Sequence, residues 1–250
     1  MRPPRNDKRR SASSGRNGRH KAFWNKEYKT SEHLALSDNP AEDLMKFCRW
    51  QEREYGGQVL NRTLSVLDLG CGNGRNLVFL AGEYGCRGTG FDISEEAVRL
   101  AVRVAAEKGL SERLAFETRS IAEPLPLPDV SVGLVLDMMT SHFLRAAERE
   151  ALRAEILRVL KPGGWLFFKS FFAEGDLHVR RLLAEHPADE PGAYIHPELG
   201  VYEYAWTEEA LRAFFEPFFI IHKMDPSHLH LLRGKAFKRR TISVYLQKLG

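Results

Sequence analysis

The chain has 250 residues, of which 43% are hydrophobic and 28% charged, a composition that excludes a wholly disordered or collagen-like protein. It contains no apolar run of about 18 residues, so no membrane-spanning helix is predicted. No apolar segment follows the basic N-terminus, as it would in a secretory signal. The three cysteines have neither disulfide-framework nor zinc spacing. We therefore expect a cytoplasmic protein without a metal site.

The formal net charge of +4 is unevenly distributed along the chain. Residues 1–21 contain eight Lys or Arg and one acidic residue, and residues 222–250 contain seven and one. The middle of the chain, 22–221, contains 22 basic and 31 acidic residues and is therefore negative. The basic ends are either solvated surface or sites for nucleic-acid phosphates. We expect residues 1–21 to form a disordered basic tail, because they hold almost no apolar side chains.

The predicted elements begin with a helical cap over residues 22–58. Its main helix starts after Ser37–Pro40 and ends at Gly56. Short apolar runs then predict strands at 64–69, 87–92, 113–118, 132–137 and 165–168. Amphipathic runs between them predict helices after residue 74, at 94–109 and at 145–159. This alternation over residues 60–172, the predicted cofactor-binding core, is typical of a parallel sheet covered by helices.

The last part of the chain, 173–250, is predicted to form the substrate side of the domain and its closing strands. Helices are expected at 174–185 and 206–215, and strands at 218–223 and 241–247. The complete prediction is an α/β fold with a doubly wound, mostly parallel seven-stranded sheet. Helices cover both faces of this sheet, and the last strand is antiparallel.

A glycine-rich loop joins the first predicted strand to its helix. Gly70, Gly72 and Gly74 follow Asp68, and Asp92 ends the second strand. Glycines allow a tight turn and let a ligand approach the main chain. The carboxyl ends of parallel strands are where ligands bind in open α/β sheets. Because a carboxylate at the end of the second strand can accept hydrogen bonds from both ribose hydroxyls, the pattern predicts a site for a nucleoside-containing cofactor.

Two features of the loop favour S-adenosylmethionine over a dinucleotide. The third position of the dinucleotide motif needs a small residue, and Arg75 stands there. Asp68 precedes the first glycine by two residues, and its negative charge would repel a pyrophosphate. The same charge suits a ligand that carries a sulfonium and an ammonium group and no phosphate.

Three motifs resemble those of class I S-adenosylmethionine-dependent methyltransferases. They are VLDLGCGNGRN at 66–76, GFDIS at 90–94 and LKPGGWLFF at 160–168. The similarity is closest to the small-molecule branch with the tellurite-resistance and thiopurine-type enzymes. It implies S-adenosylmethionine as the cofactor and the following cofactor-binding residues: Asp68, Gly70, Cys71, Gly72, Gly74, Asp92, Ile93, Ser120 and Ile121.

The same resemblance implies a role for each part of this set. The glycine loop contacts the methionine part through its main chain, and Asp68 orients the ammonium group directly or through water. Asp92 holds the ribose, and Ile93 lies against the adenine. Ser120 and Ile121 follow the third strand, where many family members carry an acidic residue that contacts the adenine.

The methyl acceptor is expected near the end of the fourth strand, which faces the sulfonium methyl in this family. Asp137 and His142 follow or end that strand and are the candidate catalytic residues, as a base or as part of the pocket wall. A second candidate segment is Tyr194–Gly200, which is either a lid over the acceptor or an ordinary surface loop.

Three functions remain open from the sequence. The first is methylation of a small or medium-sized acceptor by in-line displacement. The second is methylation of RNA or protein with the help of the basic ends. The third is a non-catalytic scaffold that binds the cofactor. The sequence predicts neither the acceptor nor the oligomeric state.

Overall fold

The computed structural model describes residues 7–31, 36–228, 231–232, 235–236 and 239–250. The strands of this described chain are β1 (Ser65–Leu69), β2 (Arg87–Asp92), β3 (Leu114–Thr118), β4 (Val132–Met138), β5 (Leu160–Phe171), β6 (Ala193–Ile195), β7 (Tyr202–Tyr204), β8 (Phe219–Pro226), β9 (Leu231–Leu232), β10 (Lys235–Ala236) and β11 (Thr241–Lys248). Its helices are α1 (Asp7–Thr30), α2 (Glu42–Tyr55), α3 (Arg75–Tyr84), α4 (Glu95–Glu107), α5 (Ala146–Val159), α6 (Leu177–Glu185) and α7 (Glu208–Phe215). Within the described chain, none of these helices has both the length and the apolar character needed to cross a membrane.

Seven strands form one sheet in the order β3-β2-β1-β4-β5-β11-β8. β11 runs antiparallel to both of its neighbours, β5 and β8, whereas the other neighbouring pairs are parallel. The pairs β6–β7 and β9–β10 are small antiparallel hairpins outside this sheet. The predicted fold class, a mostly parallel seven-stranded α/β sheet with an antiparallel last strand, is confirmed.

Helices pack on both faces of the sheet, because alternate strand residues point to opposite faces. On one face, Leu69 and Val135 belong to a buried cluster with residues of α5 and α7, such as Leu152. On the other face, Leu136 belongs to a buried cluster with residues of α2 and α3, such as Phe47. The sheet is therefore buried on both sides, which explains why its central strands are almost wholly apolar.

The first helix, α1, begins within the predicted basic tail. Residues 1–6 of the predicted tail lie outside the described residues, and residues 7–21 belong to α1. The second half of the helix contacts the core, where Asn25 Oδ1 accepts a hydrogen bond of 2.8 Å from Ser94 Oγ. The Trp24 ring also packs against Phe143 at 5.4 Å between centroids. These contacts attach α1 to the core.

The fifth strand starts earlier than predicted. Leu160 pairs with Val132 and Trp165 pairs with Leu134, with a register shift between the two pairs. The Lys161–Gly164 segment, which lies before the strand predicted at 165–168, is therefore an irregular part of β5, and Gly163 has a φ of 69°. Glycine accommodates this left-handed backbone without a steric cost.

The strand order reverses between β1 and β4, which places the loops after these two strands side by side. In open α/β sheets the crevice at such a reversal is the usual ligand site. The fold thus brings together the two segments that the sequence singled out, the glycine loop after β1 and the segment after β4.

Candidate active site

A cavity of about 420 Å³ lies at the carboxyl edge of the sheet and is also lined by α1. The loops after β1, β2 and β3 line one part of it, and residues after β4 and from β5 line another. Most of the predicted cofactor residues border this cavity: Gly70, Cys71, Gly72, Asp92, Ile93, Ser120 and Ile121. One enclosure therefore contains both the predicted cofactor residues and a region where an acceptor can bind.

The glycine loop has a left-handed backbone at three positions. Gly70, Gly72 and Gly74 have φ values of 70°, 56° and 77°, which residues with a side chain rarely adopt. A Cβ atom at Gly70 would lie 2.3 Å from Thr140 Oγ1, and one at Gly72 would lie 2.5 Å from the Tyr28 hydroxyl. Backbone conformation and space both require glycine here. Gly74 does not border the cavity and instead packs against α4 and β3.

Asp92 ends β2 and connects the glycine loop to α4. Its Oδ2 accepts a hydrogen bond of 2.9 Å from Gly72 N, and its Oδ1 accepts one of 2.8 Å from Ser94 N. Burial raises the pKa of this carboxyl, and the two backbone N–H groups act in the opposite direction. The carboxylate is thus fixed in orientation while it still borders the cavity, as a group that holds ribose hydroxyls should be.

Asp68 lies beneath the glycine loop and is only 1% exposed. It does not border the cavity directly, and its Oδ2 has no hydrogen-bond partner within the described residues. Burial, followed by the charges of Asp92 and Asp137, raises the pKa of Asp68 to about 8. The charge of Arg75 acts in the opposite direction but does not outweigh burial. A cation that binds close by would stabilise the charged form of this carboxyl.

Cys71 borders the cavity but has no features of a nucleophile. Its thiol is buried, and burial together with the charges of Asp92 and Asp68 raises its pKa well above the ordinary range. The residue therefore contributes shape and its main chain, whose N–H donates to the Phe91 carbonyl at 2.9 Å.

His142 lies at the other part of the cavity, in a short helical turn after β4. It is 1% exposed, and neither ring nitrogen has a hydrogen-bond partner among the described residues. Its ring lies 4.0 Å from that of Phe143 and 4.8 Å from that of Phe171, between centroids. Burial, then the charges of Arg239 and Arg149, lowers its pKa well below the usual range, so the imidazole is neutral.

Asp137, the other predicted catalytic residue, does not border this cavity. It belongs to the face of β4 that packs on α5, beside a very small separate cavity next to Arg149 and Trp206. Its Oδ1 accepts a hydrogen bond of 3.0 Å from Ser141 N, and burial raises its pKa to about 6. The strand alternation explains this placement, because the neighbouring Met138 takes the position that faces the cavity. Asp137 therefore orders the turn that carries His142.

Arg239 and Glu203, which the sequence did not assign, form a polar group beside His142 with Tyr194 of the candidate lid. Arg239 donates a hydrogen bond of 3.0 Å from Nη1 to the Tyr194 hydroxyl and forms an ion pair with the 1% exposed Glu203. Its guanidinium lies 3.7 Å from the centre of the Phe171 ring. Arg239 and Glu203 border the cavity, as does Leu199 of the candidate lid Tyr194–Gly200.

In the sequence, Arg239 belongs to the basic C-terminal segment, residues 222–250. The sequence showed a run of positive charge before β11, but no local pattern could pair it with an acidic residue in β7. Nor could the sequence reveal that α1 lines the cavity with Phe23, Trp24 and Tyr28, because this contact depends on tertiary packing.

No group of at least three His, Cys, Asp or Glu residues is arranged to hold a metal ion in the described part of the chain. His222, one of the histidines near the C-terminus, pairs with Gln247 Oε1 at 3.0 Å.

Comparison with known proteins adds an independent result. Residues 66–164 match the sequence profile of a family described as methyltransferase domain. A solved S-adenosylmethionine-dependent methyltransferase from Methanosarcina mazei is 27% identical with a TM-score of 0.64, and the match covers 76% of this chain and 95% of that one. The chain contains a class I methyltransferase domain.

Further relatives agree with this assignment. 27-O-demethylrifamycin SV methyltransferase of Amycolatopsis mediterranei is 30% identical over 152 residues, which cover 61% of this chain and 50% of that protein. A Burkholderia thailandensis 1,6-didemethyltoxoflavin-N1-methyltransferase, solved with bound 1,6-didemethyltoxoflavin and S-adenosylhomocysteine, shares the fold with a TM-score of 0.69 at 18% identity. The match covers 100% of this chain and 94% of that one. The chain spans half or less of the length of the curated relatives it matches.

S-adenosylmethionine is the cofactor of this methyltransferase domain, and the site's own residues fit it. Asp68, beneath the glycine loop, has a buried oxygen without a partner in the described chain, and an ammonium group is a ligand group that would pair with it. Asp92 is fixed at the cavity edge, and the carboxylates on this side disfavour a phosphate-bearing ligand.

Proposed function

We propose that the methyltransferase transfers a methyl group from S-adenosylmethionine to a small-molecule acceptor. The observation that carries this proposal is the continuous cavity of about 420 Å³ that is lined both by the cofactor residues and by His142 and Arg239. A cavity of this size is in the range of small-ligand sites. The relative named after a rifamycin also acts on a small molecule, which supports the same acceptor class.

Each cofactor residue has a defined task in this proposal. The main chain at Gly70, Cys71 and Gly72 lies along the methionine part, and Asp68 stabilises its ammonium group through a short or water-mediated contact. Gly74 lets the loop turn into α3. Asp92 holds the ribose, and the adenine lies between the residues that follow β2 and β3: Ile93, Ser120 and Ile121.

The cofactor, when bound, supplies a methyl group on a sulfonium, which makes the methyl electrophilic without help from the protein. The task of the protein is then to align the acceptor and to exclude water. Trp24 and Phe143 are suited to exclusion of water, since they close the cavity from α1 and from the turn after β4. An acceptor that must lose a proton also needs a base.

His142 is proposed as a hydrogen-bonding residue for the acceptor rather than as a strong base. Catalytic histidines are usually oriented by a third group that stabilises the imidazolium. Here the described surroundings offer no hydrogen bond to either ring nitrogen, and the nearby charges are those of Arg239 and Arg149. Asp137 is not proposed as a base, because it faces the opposite side of the sheet.

Labelled-methyl transfer tests the proposal. The protein is incubated with methyl-labelled S-adenosylmethionine and a cell extract separated into small metabolites, RNA and protein. We expect label in the small-molecule fraction, with release of S-adenosylhomocysteine. Label in the RNA or protein fraction alone would favour the polymer alternative, and label in none would favour a non-catalytic scaffold.

We also propose a cytoplasmic location. It is supported by the three cysteines at 48, 71 and 86, which are free and buried. A polymer acceptor has weaker support, because the cavity carries charges of both signs, such as Glu203 beside Arg239, and is not a continuous basic groove.

A further inference from the structure

We propose that the acceptor carries an acidic oxygen, a carboxylate or a phenolate, which binds between Arg239 and His142 on a planar, apolar body. This inference rests on the proposed function, because it names the chemical class of molecule that the same cavity takes. It is carried by hydrogen-bonding groups that the described chain leaves without partners at this end of the cavity.

Arg239 offers the first of these groups. Both of its side-chain contacts, to Tyr194 and to Glu203, use Nη1. Its Nε and Nη2 make no hydrogen bond to any described residue, although the side chain is only 20% exposed. The guanidinium is held in place by stacking on Phe171, so its remaining N–H groups are presented in a fixed orientation.

His142 offers the second group, and its side chain packs on the same Phe171 ring as Arg239. Its imidazole meets the Phe171 ring nearly at right angles, at 4.8 Å between centroids, while the guanidinium of Arg239 lies over that ring at 3.7 Å. A neutral imidazole has one N–H donor, and this donor has no partner within the described residues. Both side chains border the same cavity, and their N–H donors without partners are the groups that we propose the ligand meets there.

An acidic oxygen is the ligand group that satisfies both donors. A carboxylate or phenolate oxygen accepts several hydrogen bonds, and those to a guanidinium are charge-assisted. A ligand with an ester or ether at this position loses the charge, and an amine cation offers these N–H donors no acceptor. Because Glu203 already balances the charge of Arg239, discrimination depends on directed hydrogen bonds more than on net charge.

The surrounding walls define the rest of the ligand. Phe23, Trp24, Phe143 and Leu199 border the cavity next to these polar groups. Aromatic and aliphatic walls favour a flat, apolar body whose faces can stack on rings. Together with the two donors, they select a planar molecule with one acidic oxygen.

Calorimetry on the protein saturated with S-adenosylhomocysteine tests this inference with matched probes. The probes are 2-naphthoate and 3-hydroxy-2-naphthoate, each compared with its methyl ester. We expect the acids to bind at least about tenfold more tightly than the esters, in keeping with charge-assisted hydrogen bonds. The double variant R239M/E203Q, which leaves no unpaired buried carboxylate, should lose this preference and bind the esters as the wild type does.

Two further variants sharpen the result. H142F should weaken the acids, whereas R153M, which removes an arginine stacked on Phe214 outside this cavity, should leave them unchanged. Equal affinity for acid and ester, an unchanged acid preference in R239M/E203Q, or no acid binding below about 1 mM while S-adenosylhomocysteine binds, would overturn the inference. Failure of the wild-type protein to bind S-adenosylhomocysteine would instead contradict the proposed function on which it rests.

Discussion

Asp68 is a buried carboxyl whose surroundings in the protein disfavour its charged form. It is almost fully buried, has a carboxylate oxygen without a partner in the described chain, and lies near two further carboxylates. Burying a charge without a partner is costly, so the carboxyl favours its protonated form. A bound ligand with an ammonium group reverses that preference. The affinity for the cofactor should therefore depend on pH through the protonation of this residue.

The first prediction concerns proton release at Asp68. Since its pKa is raised to about 8, the free protein holds the proton at neutral pH, and pairing with a cation removes it. Affinity for S-adenosylhomocysteine should therefore rise as pH rises toward about 8, by at most about tenfold per unit. In D68N this contribution should vanish.

Calorimetry at about pH 7, in two buffers that differ in ionisation enthalpy, measures the protons released on binding. The wild-type protein should release more than D68N, and the titration of the ligand's own groups is common to both. Equal proton release in the two proteins would show that Asp68 does not pair with the cofactor.

The residues of the site divide into those that a sequence can reveal and those that it cannot. Gly70, Gly72 and Asp92 stand in a local motif, because the backbone turn and the ribose contact need particular residue types at fixed spacing. Arg239 and Glu203 meet only because β7 and the segment before β11 pack together. Such a pair leaves no local pattern.

At the scale of the elements, α1 covers the cavity and is attached to the fold by a few polar contacts and by the packing of Trp24 on Phe143. Asn25 Oδ1 accepts from Ser94 Oγ at 2.8 Å and from Glu96 N at 3.3 Å, and Lys21 forms an ion pair with Glu95. Its residues are outside the buried apolar clusters of the described chain. The contacts of this helix should therefore affect ligand affinity in the cavity more than the free energy of unfolding of the whole protein.

The second prediction follows from this attachment. N25A removes both hydrogen bonds and leaves the Glu96 N–H without its partner, which costs about 1–3 kcal/mol locally. Affinity for S-adenosylhomocysteine should fall by about tenfold, while the midpoint of thermal unfolding of the free protein changes by less than about 4 °C.

The exposed ion pair Arg103–Glu107 provides a control on α4, the helix whose start Asn25 contacts. R103A removes this ion pair and leaves the Asn25 hydrogen bonds in place. Its cofactor affinity should equal that of the wild type. A large loss of thermal stability in N25A, or no change in its cofactor affinity, would contradict the role of α1 as a cover.

The elements that were predicted well are those with strong local patterns. β2 was expected at 87–92 and is Arg87–Asp92, and α5 was expected at 145–159 and is Ala146–Val159. The start of β5 was wrong, because the pairing of Leu160 with Val132 extends the strand through a glycine turn. The extent of α1 was not foreseen, because its contacts are tertiary.

At the scale of the whole molecule, the charge asymmetry does not define the catalytic site. The cofactor side of the cavity is acidic, with Asp92 at its edge and Asp68 beneath it. Of the basic C-terminal segment, Arg239 borders the cavity, whereas Arg240 bonds outward to the Ser227 and Glu174 carbonyls. The division of the chain into a tail, a cap, a core and a substrate side stays a prediction.

The third prediction uses salt to distinguish a small acceptor from a polymer. Methyl transfer to a small acceptor should change by less than about threefold between 50 and 200 mM salt, whereas binding through 6–10 phosphate contacts would fall by about 10³–10⁵-fold. Replacing Lys8, Arg9 and Arg10 with serine should leave the rate unchanged. A steep fall with salt, removed by this triple variant, would indicate a nucleic-acid substrate.

The central claim is that the cavity at the β1–β4 reversal binds S-adenosylmethionine through Asp92. Calorimetric titration with S-adenosylhomocysteine of the wild-type protein, D92A and the control D129N, an exposed carboxylate paired with Arg158, tests it directly. One site should bind in the wild type and in D129N, and D92A should weaken binding by at least about 100-fold, since two charge-assisted hydrogen bonds to the ribose are lost. Absence of binding in the wild type, or wild-type affinity in D92A, would contradict the claim.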